Sequence, residues 1–335
     1  MNKIILVDGN SLLFRAFYAT SQGQMMRNQQ GLYTNAIYGF CMILEKLLEE
    51  EKSHILVAFD AGKKTFRHQE YQEYKGTRKK LPEELAMQIP YIKKYIDYLN
   101  IKRYETDDYE ADDIIASMTA LAKNEDFDEI KIVTGDKDLL QLVIDKVKVF
   151  ITKKGFSILD EYNINNFYDK LKLYPHQVPD YKGLVGDPSD NLPGVKGIGD
   201  KTAIKLLSQY KTLEKIISNV SLISGRVGSL IEKDYQKALQ CKHLATLIDN
   251  IQFDFSIDDV RVKAPDKDKL RMFFTELEFA SFLSKFDEEI TFNQHDFKII
   301  TDPNFDFTKL DNSVIEIEVF GSNYLTGEFL GLGIA

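Results

Sequence analysis

The sequence predicts an α/β protein in which a parallel sheet is flanked by helices and followed by a smaller helical domain. Over residues 1–155, short apolar runs alternate with helical patterns, which is typical of strand–helix–strand units. From about residue 160, the apolar runs give way to short helical stretches interrupted by prolines and a glycine cluster. The chain has 335 residues, 44% hydrophobic and 28% charged, which indicates a globular protein with room for about two domains.

The first part of the chain contains four predicted strands and three predicted helices. The strands are expected at 3–7, 55–59, 130–134 and 147–151, and the helices at about 34–50, 83–99 and 110–123. Such alternation favours a parallel sheet with helices on both faces, and ligands bind beyond the carboxyl ends of its strands. Asp8, Asp60 and Asp136 follow three of these strands. The sequence therefore places three carboxylates at one edge of the predicted sheet.

The composition divides the chain into three parts, which we expect at 1–160, 161–286 and 287–335. The first is the α/β domain and the second is the helical domain. Residues 287–335 are acidic, rich in Phe and β-like, and they end on an apolar run. This last part is predicted to be the opening strands of a further domain.

Several classes of protein are excluded by simple counts. The two cysteines, Cys41 and Cys241, lie far apart, which excludes a disulfide scaffold and a Cys-based zinc site. No apolar run approaches the ~20 residues that span a membrane. The apolar run after Met1 meets Asp8 too early for a signal peptide. We therefore expect a cytoplasmic protein with no membrane partner.

The net charge of −9 is unevenly distributed. Residues 287–335 carry −8, so residues 1–286 are close to neutral at −1. Nine carboxylates of this part are candidate metal ligands, and without them the rest of residues 1–286 carries about +8. A basic body with one acidic site indicates a metal-dependent enzyme that acts on a polyanion.

Two acidic clusters lie at predicted element ends. Glu110, Asp112 and Asp113 open a helix, where acids also complement the helix dipole, so capping and metal binding both explain them. Asp136 and Asp138 follow a strand in a spacing that is frequent in Mg²⁺ and Mn²⁺ sites, although an N-cap with a solvated partner explains it equally well.

A third cluster, 186–191, contains Asp187 and Asp190 and would by itself indicate only a polar turn. With Asp8 and Asp60, the clusters supply about the number of oxygen donors that two neighbouring divalent ions need. The nine carboxylates are Asp8, Asp60, Glu110, Asp112, Asp113, Asp136, Asp138, Asp187 and Asp190. Two such ions activate water and stabilise the leaving oxygen in phosphoryl displacement, so we expect two Mg²⁺ or Mn²⁺ ions.

A basic stretch at 63–80 follows Asp60 directly. Its seven cations are Lys63, Lys64, Arg67, Lys75, Arg78, Lys79 and Lys80, with Phe66, Tyr71 and Tyr74 between them. A solvated loop would explain this composition. Beside an acidic metal site, however, the cations would attract a phosphate and the aromatic rings would stack on unpaired bases.

The glycine-rich segment 192–203 precedes a predicted helix. Gly194, Gly197 and Gly199 allow a tight turn and a close approach to phosphate, while Lys196 and Lys201 add positive charge. The alternative is a simple turn between helices. The segment has no base-reading side chains, so binding would be to the DNA backbone.

Six ordered sequence blocks resemble the 5′→3′ exonuclease (flap endonuclease) domain found at the N-terminus of bacterial DNA polymerase I. The blocks lie at 7–16, 59–67, 74–78, 110–113, 134–138 and 186–191, the last running into the glycine-rich segment. The resemblance covers residues 1–285. It implies a PIN-like (resolvase-like) domain followed by a helix–three-turn–helix domain.

The resemblance also implies roles for individual residues. The first ion would be surrounded by Asp8, Asp60, Glu110 and Asp112, and the second would be held by Asp113, Asp136, Asp138 and Asp190, with Asp187 in an outer shell. Lys75 and Arg78 would contact the scissile phosphate, Tyr74 would stack near the terminal base, and Arg15 would lie by the site. Residues 63–82, including Arg67, would form an arch over the 5′ strand.

In the same way, the resemblance implies DNA as the substrate. The glycine turn, with Gly194, Lys196, Gly197, Gly199 and Lys201, would grip duplex DNA and hold a K⁺ ion. The enzyme would act as a monomer on 5′ flaps, on nicked or gapped duplexes and on RNA primer–DNA. This activity would serve Okazaki-fragment processing and excision repair.

The tail at 314–318 and 331–333 looks like the first strands of a proofreading 3′→5′ exonuclease domain, but Glu316 stands where the family has Asp. We expect it to be a weakly ordered, truncated start of that domain without 3′→5′ activity. Two alternatives remain for the whole chain. A single-domain ribonuclease with the same sheet would lack the glycine turn, and a non-catalytic DNA-binding module would lack some of the ligands.

Overall fold

A six-stranded sheet with the order β3-β2-β1-β4-β5-β6 forms the centre of the fold. The strands are β1 (Lys3–Asp8), β2 (His54–Ala58), β3 (Lys102–Tyr104), β4 (Glu129–Thr134), β5 (Val147–Thr152) and β6 (Leu159–Tyr162). All neighbours run parallel except β6, which is antiparallel to β5. The predicted parallel sheet is confirmed, and β3 and β6 extend it at its two edges.

The computed structural model describes residues 2–21, 25–153 and 159–286, together with the backbone of two strands at 315–320 and 328–334. Residues 1–286 form one unit and 287–335 a second. Among the described residues, no helix combines the length and the apolar character that a membrane crossing requires.

Both faces of the sheet are covered, which explains why its central strands are continuous apolar runs. Ile4 and Leu6 of β1 belong to one buried cluster, which includes residues of the helix that follows β3. Ile5 and Val7 belong to the other, which includes residues of the two helices between β1 and β2. Alternate side chains of β1 therefore pack into two hydrophobic cores, one on each face of the sheet.

The helices of the sheet domain lie between its strands. They are α1 (Gly9–Thr20), α2 (Asn35–Leu48), α3 (Phe66–Glu70), α4 (Glu83–Ala86), α5 (Ile89–Tyr98) and α6 (Ala111–Lys123), and a 3₁₀ turn spans Asp138–Leu142. The single helix predicted at 83–99 is two helices. Pro90 has no N–H to donate to Ala86, and it occupies the first turn of α5, where proline is favoured.

The second half of the unit is helical. Its helices are α7 (Phe167–Leu171), α8 (Val178–Val185), α9 (Asp200–Tyr210), α10 (Leu213–Ser218), α11 (Arg226–Ala245), α12 (Lys267–Glu276) and α13 (Ala280–Leu283), with 3₁₀ turns at Pro175–Gln177, Val220–Leu222 and Ile257–Val260. Leu184 of α8 and Leu207 of α9 belong to the buried cluster that contains Ile4 and Leu6. Phe273 and Phe282 belong to the cluster that contains Ile5 and Val7. The helical part therefore packs on the sheet domain as one body.

Two strands are described in the second unit, β7 (Ile315–Phe320) and β8 (Glu328–Ile334). They pair antiparallel, with Ile315 opposite Ile334 and Glu316 opposite Gly333. The other residues predicted to belong to this part, including 287–314, lie outside the described residues.

Candidate metal centre and DNA-binding surface

A cleft of about 240 Å³ opens at the edge of the sheet where β1, β2 and β4 end. It is lined by Asp8, Asn10, Ser11, Phe14, Asp60, Lys75, Arg78, Glu110, Ala111, Asp112, Gly135 and Asp136. Five of the nine predicted ligands and both predicted phosphate-contacting cations therefore share one cavity.

Local backbone geometry orients the first carboxylates. Asp8 caps α1, and its Oδ1 accepts a hydrogen bond from the Ser11 N–H at 2.9 Å. Its Oδ2 accepts from the Thr134 hydroxyl at 2.7 Å. Asp60 accepts from the Asn10 amide and from the Ala111 N–H, each at 2.7 Å. These bonds tie the ends of β1, β2 and β4 to the start of α6.

The charge in this half of the cleft is only partly offset, by Lys75, which acts on Asp112 and Asp60 without forming an ion pair with either within the described residues. No ion pair joins Asp8, Asp60, Asp112 or Asp136 to a cation there. Burial raises the pKa of Asp8 to about 7, and the charges of Asp60 and Asp136 add to the effect. Burial, followed by the charges of Asp136 and Asp8, also holds the pKa of Asp112 well above its usual range. A set of crowded oxygen donors of this kind fits a hard divalent cation.

Glu110 contacts three residues of the basic stretch, namely Lys75, Tyr74 and Arg67, whose Nη1 lies 3.4 Å from Oε2 of Glu110. Its Oε1 lies 2.8 Å from the Lys75 ammonium, and its Oε2 accepts from the Tyr74 hydroxyl at 3.1 Å. Burial alone would lower the pKa of Lys75, but the charges of Glu110 and Asp190 raise it. Lys75 therefore stays protonated at the wall of the cleft.

A second acidic group contains Asp138, Asp187 and Asp190, which bring one carboxylate oxygen each to within 4.8 Å of the others. The Lys182 ammonium of α8 contacts Asp138 and lies 2.5 Å from Oδ2 of Asp187. Burial opposes ionisation of Asp187, but Lys182 and Ser189 lower its pKa. Asp190 pairs with Arg78 at 2.7 Å. Each member of this group pairs with a cation, unlike Asp8, Asp60, Asp112 and Asp136, which form no ion pair within the described residues.

In this structure Asp113 and Arg67 have partners other than those that their predicted roles require. Asp113 is fully buried, and its two oxygens accept from the Arg67 guanidinium at 2.6 and 2.7 Å. The same oxygens also accept from the backbone N–H groups of Glu110 and Ile248. Arg67 is 1% exposed and donates further to the Leu244 carbonyl. Hydrogen bonds occupy both oxygens of Asp113, so neither is free for an ion in this structure. Arg67 is buried, so its guanidinium has no exposed surface that could contact DNA.

Tyr74 also differs from its expected role. Tyr74 is 3% exposed, and its hydroxyl lies 3.1 Å from Oε2 of Glu110 and 3.0 Å from Oδ2 of Asp190, so the two carboxylates share its single proton. A buried ring has no face to offer to a terminal base. In this structure Tyr74 instead bridges one carboxylate of each acidic group.

The four remaining lysines of the basic stretch lie at the surface. Lys63, Lys64, Lys79 and Lys80 are exposed, and within 63–82 only α3 is helical. Arg15 does not line the cleft, and its buried Nε and Nη2 have no hydrogen-bond partner among the described residues. The predicted arch and the predicted role of Arg15 stay predictions.

The glycine-rich segment connects α8 to α9. Gly194 has φ +59°, and a side chain there would collide with the backbone of Gly186, so only glycine fits. The Val195 N–H bonds back to the Leu184 carbonyl at 2.9 Å, which closes the turn. Lys196, Gly197, Gly199 and Lys201 are exposed beside the first turn of α9. This surface can present backbone N–H groups and two ammonium groups to phosphate.

Sequence reasoning missed two residues of the site. Asn10 orients Asp60, and its only signal is its position two residues after a strand-end Asp. Lys182 lies on α8, five residues before Asp187, in a pattern with no chemical signature. Only the folded chain brings it to Asp138, which is 44 residues away in sequence.

Family models match most of the chain up to residue 268. Residues 3–171 match the N-terminal resolvase-like domain of 5′-3′ exonucleases, and residues 173–268 match their C-terminal SAM-fold domain. The chain belongs to the 5′-3′ exonuclease family. The family, the fold class and the class of enzyme predicted from the sequence blocks are thereby confirmed.

Curated relatives extend the same similarity. DNA polymerase I of Bacillus subtilis (strain 168) is 41% identical over 99% of the chain, and that of Geobacillus stearothermophilus is 42% identical over 100% of it. In both, the match spans 38% of the relative, so the chain corresponds to well under half the length of these proteins.

Solved structures share the fold. T5 5′-exonuclease with bound divalent metal ions (zinc) matches with a TM-score of 0.61 and 23% identity, over 83% of this chain and 99% of that one. The catalytic core of Rad2 in complex with a DNA substrate matches with a TM-score of 0.55 and 17% identity, over 82% of this chain and 88% of that one.

Proposed function

We propose that the chain hydrolyses DNA phosphodiester bonds at 5′ ends and at 5′ flaps with the help of two Mg²⁺ or Mn²⁺ ions. The observation that carries this proposal is the cleft. Asp8, Asp60 and Asp112 form no ion pair within the described residues, and Lys75 and Arg78 line the same cavity. Such a cavity attracts divalent ions and a phosphate together.

Asp8, Asp60, Glu110 and Asp112 would hold the first ion, and Asp136, Asp138 and Asp190 the second, with Asp187 nearby. When bound, the ions would activate water and stabilise the leaving oxygen. Lys75 and Arg78 would orient the phosphate and stabilise its developing charge. The Asn10 amide would hold Asp60 in place.

The duplex would be held at a distance from the chemistry. Lys196, Gly197, Gly199 and Lys201 would contact the backbone of one strand. Gly194 would shape the turn that presents them, and carbonyls of this turn would hold a K⁺ ion. Exposed lysines of 63–80 would guide the 5′ strand, and Arg15 would act near the site. Because these contacts read no bases, the enzyme would select DNA by structure.

In the cell, the substrates would be 5′ flaps, nicked or gapped duplexes and RNA primer–DNA. The similarity to polymerases suggests Okazaki-fragment processing and excision repair by a cytoplasmic monomer. We place the functional parts at 1–160 for catalysis, 161–286 for duplex binding and 287–335 for a proofreading-like part.

Cleavage of a 5′-labelled flap with Mg²⁺ and with excess EDTA tests the proposal, with Asp112→Ala as the matched inactive variant. We expect Mg²⁺-dependent cleavage near the junction and none with EDTA or with the variant. Preference for single-stranded RNA would favour a ribonuclease, and DNA binding without any cleavage would favour a binding module.

A further inference from the structure

Lys182 lies where an ion of the second acidic group would have to bind. Its ammonium contacts Oδ1 of Asp138 and lies 2.5 Å from Oδ2 of Asp187. The side chain is 12% exposed, so water screens this contact only weakly. A divalent ion held by the same oxygens would meet a positive charge within about 3 Å.

In the first acidic group, Glu110 pairs with Lys75 at 2.8 Å and with Arg67 at 3.4 Å. Its other three members, Asp8, Asp60 and Asp112, form no ion pair within the described residues, and the hydrogen-bond donors to Asp8 and Asp60 are neutral. In the second group, both Asp138 and Asp187 contact Lys182. The two groups therefore differ in what a divalent ion has to displace.

We propose that Lys182 is an internal counter-ion of the second ion site. Its ammonium neutralises Asp138 and Asp187 while the ion is absent, and it has to leave their oxygens before the ion can enter. The second ion then binds last and more weakly than the first. Lys182 is a positioning residue here, and the inference rests on the two-ion function proposed above.

Ion binding in the absence of DNA tests this inference. Mn²⁺ binding to the full chain is followed by electron paramagnetic resonance, which counts free Mn²⁺, for the wild type, Lys182→Met and Lys182→Gln. Lys237→Met is the control, since Lys237 is a helical lysine paired with a largely buried carboxylate, Asp234, outside the cleft.

We expect two Mn²⁺ ions in the wild type, the second weaker than the first. Both Lys182 variants should bind the second ion at least about tenfold more tightly, because a competing unit charge is removed, and the first ion within about twofold of the wild type. Lys237→Met should match the wild type. A merely structural lysine would weaken binding when removed, so a gain in affinity is diagnostic.

Two results would overturn the inference in different ways. Two ions in the wild type with an unchanged or weaker second ion in both Lys182 variants would overturn the role of Lys182 alone. Fewer than two ions in the wild type at saturating Mn²⁺ would overturn it together with the proposed two-ion function.

Discussion

Asp8→Asn should reduce the loss of folding stability that the ion-free protein shows as the pH rises. Asn has the same shape, and its side-chain oxygen can still accept from the Ser11 N–H as the cap of α1. Its amide can donate to the Thr134 hydroxyl, which is also an acceptor. The main change is therefore the loss of one negative charge beside Asp60 and Asp136.

The magnitude follows from the pKa of Asp8, which burial and neighbouring carboxylates raise from 3.8 to about 7. A change of this size corresponds to about 4 kcal/mol. The folded state holds the Asp8 proton more tightly than the unfolded chain does. The contribution of this proton to folding stability is therefore fully present below about pH 4 and is lost as the pH rises through about 7. Between pH 5 and 8, the wild type should lose about 3 kcal/mol more stability than Asp8→Asn.

Urea unfolding in EDTA at pH 5 and pH 8 measures this difference, with the exposed Asp249→Asn as a control of equal charge change. Adding Mg²⁺ at pH 8 should stabilise the wild type more than Asp8→Asn, because ligand binding to the folded state adds to its stability. The reasoning is refuted if Asp8→Asn loses as much stability between pH 5 and 8 as the wild type does.

Four further outcomes are expected. Asp112→Ala and Asp136→Ala should abolish flap cleavage but retain DNA binding in Ca²⁺, measured by fluorescence anisotropy; near-normal turnover in either would contradict the ligand assignment. Lys75→Ala and Arg78→Ala should lower the single-turnover rate far more than affinity, whereas Lys201→Ala should weaken binding and reduce its salt dependence by about one phosphate contact; equal losses throughout would argue against separate roles. Arg67→Met should destabilise the fold by about 3–5 kcal/mol in urea unfolding, because Asp113 is left buried and unpaired, and a loss below 1 kcal/mol would contradict this. Truncation after residue 289 should leave 5′-flap cleavage intact, and a 3′-labelled single strand should not be shortened by the full chain; shortening that disappears in Glu316→Ala would show that the tail is active.

The central strands and the acidic edge could be predicted from the sequence because their signals are local. β1, β2 and β4 are apolar runs that end at or just before Asp8, Asp60 and Asp136, and parallel strands bring their carboxyl ends together. β3 and β6 have weak signals, because β3 is only Lys102–Tyr104 and β6 is a short polar edge strand.

Pairings that depend on tertiary contact were not accessible in this way. A helix-start Asp has the same sequence signature whether it holds an ion or an arginine, and Asp113 meets Arg67 across 46 residues. The burial of Tyr74 could not be predicted either, since it results from packing between Glu110 and Asp190. Spacing locates such groups near the site, but only the fold decides which oxygens remain free.

The most direct test of the acidic cleft as a two-ion centre is the anomalous scattering of Mn²⁺ in crystals of the ion-loaded protein. The account predicts one Mn²⁺ peak in the cleft and a second in the neighbouring acidic group, with Lys182 moved away from its carboxylate partners. The expected ligands are Asp8, Asp60, Glu110 and Asp112 for the first peak, and Asp136, Asp138 and Asp190 for the second, with Asp187 in its outer shell. Mn²⁺ peaks found only outside these residues at saturating Mn²⁺ would contradict the account.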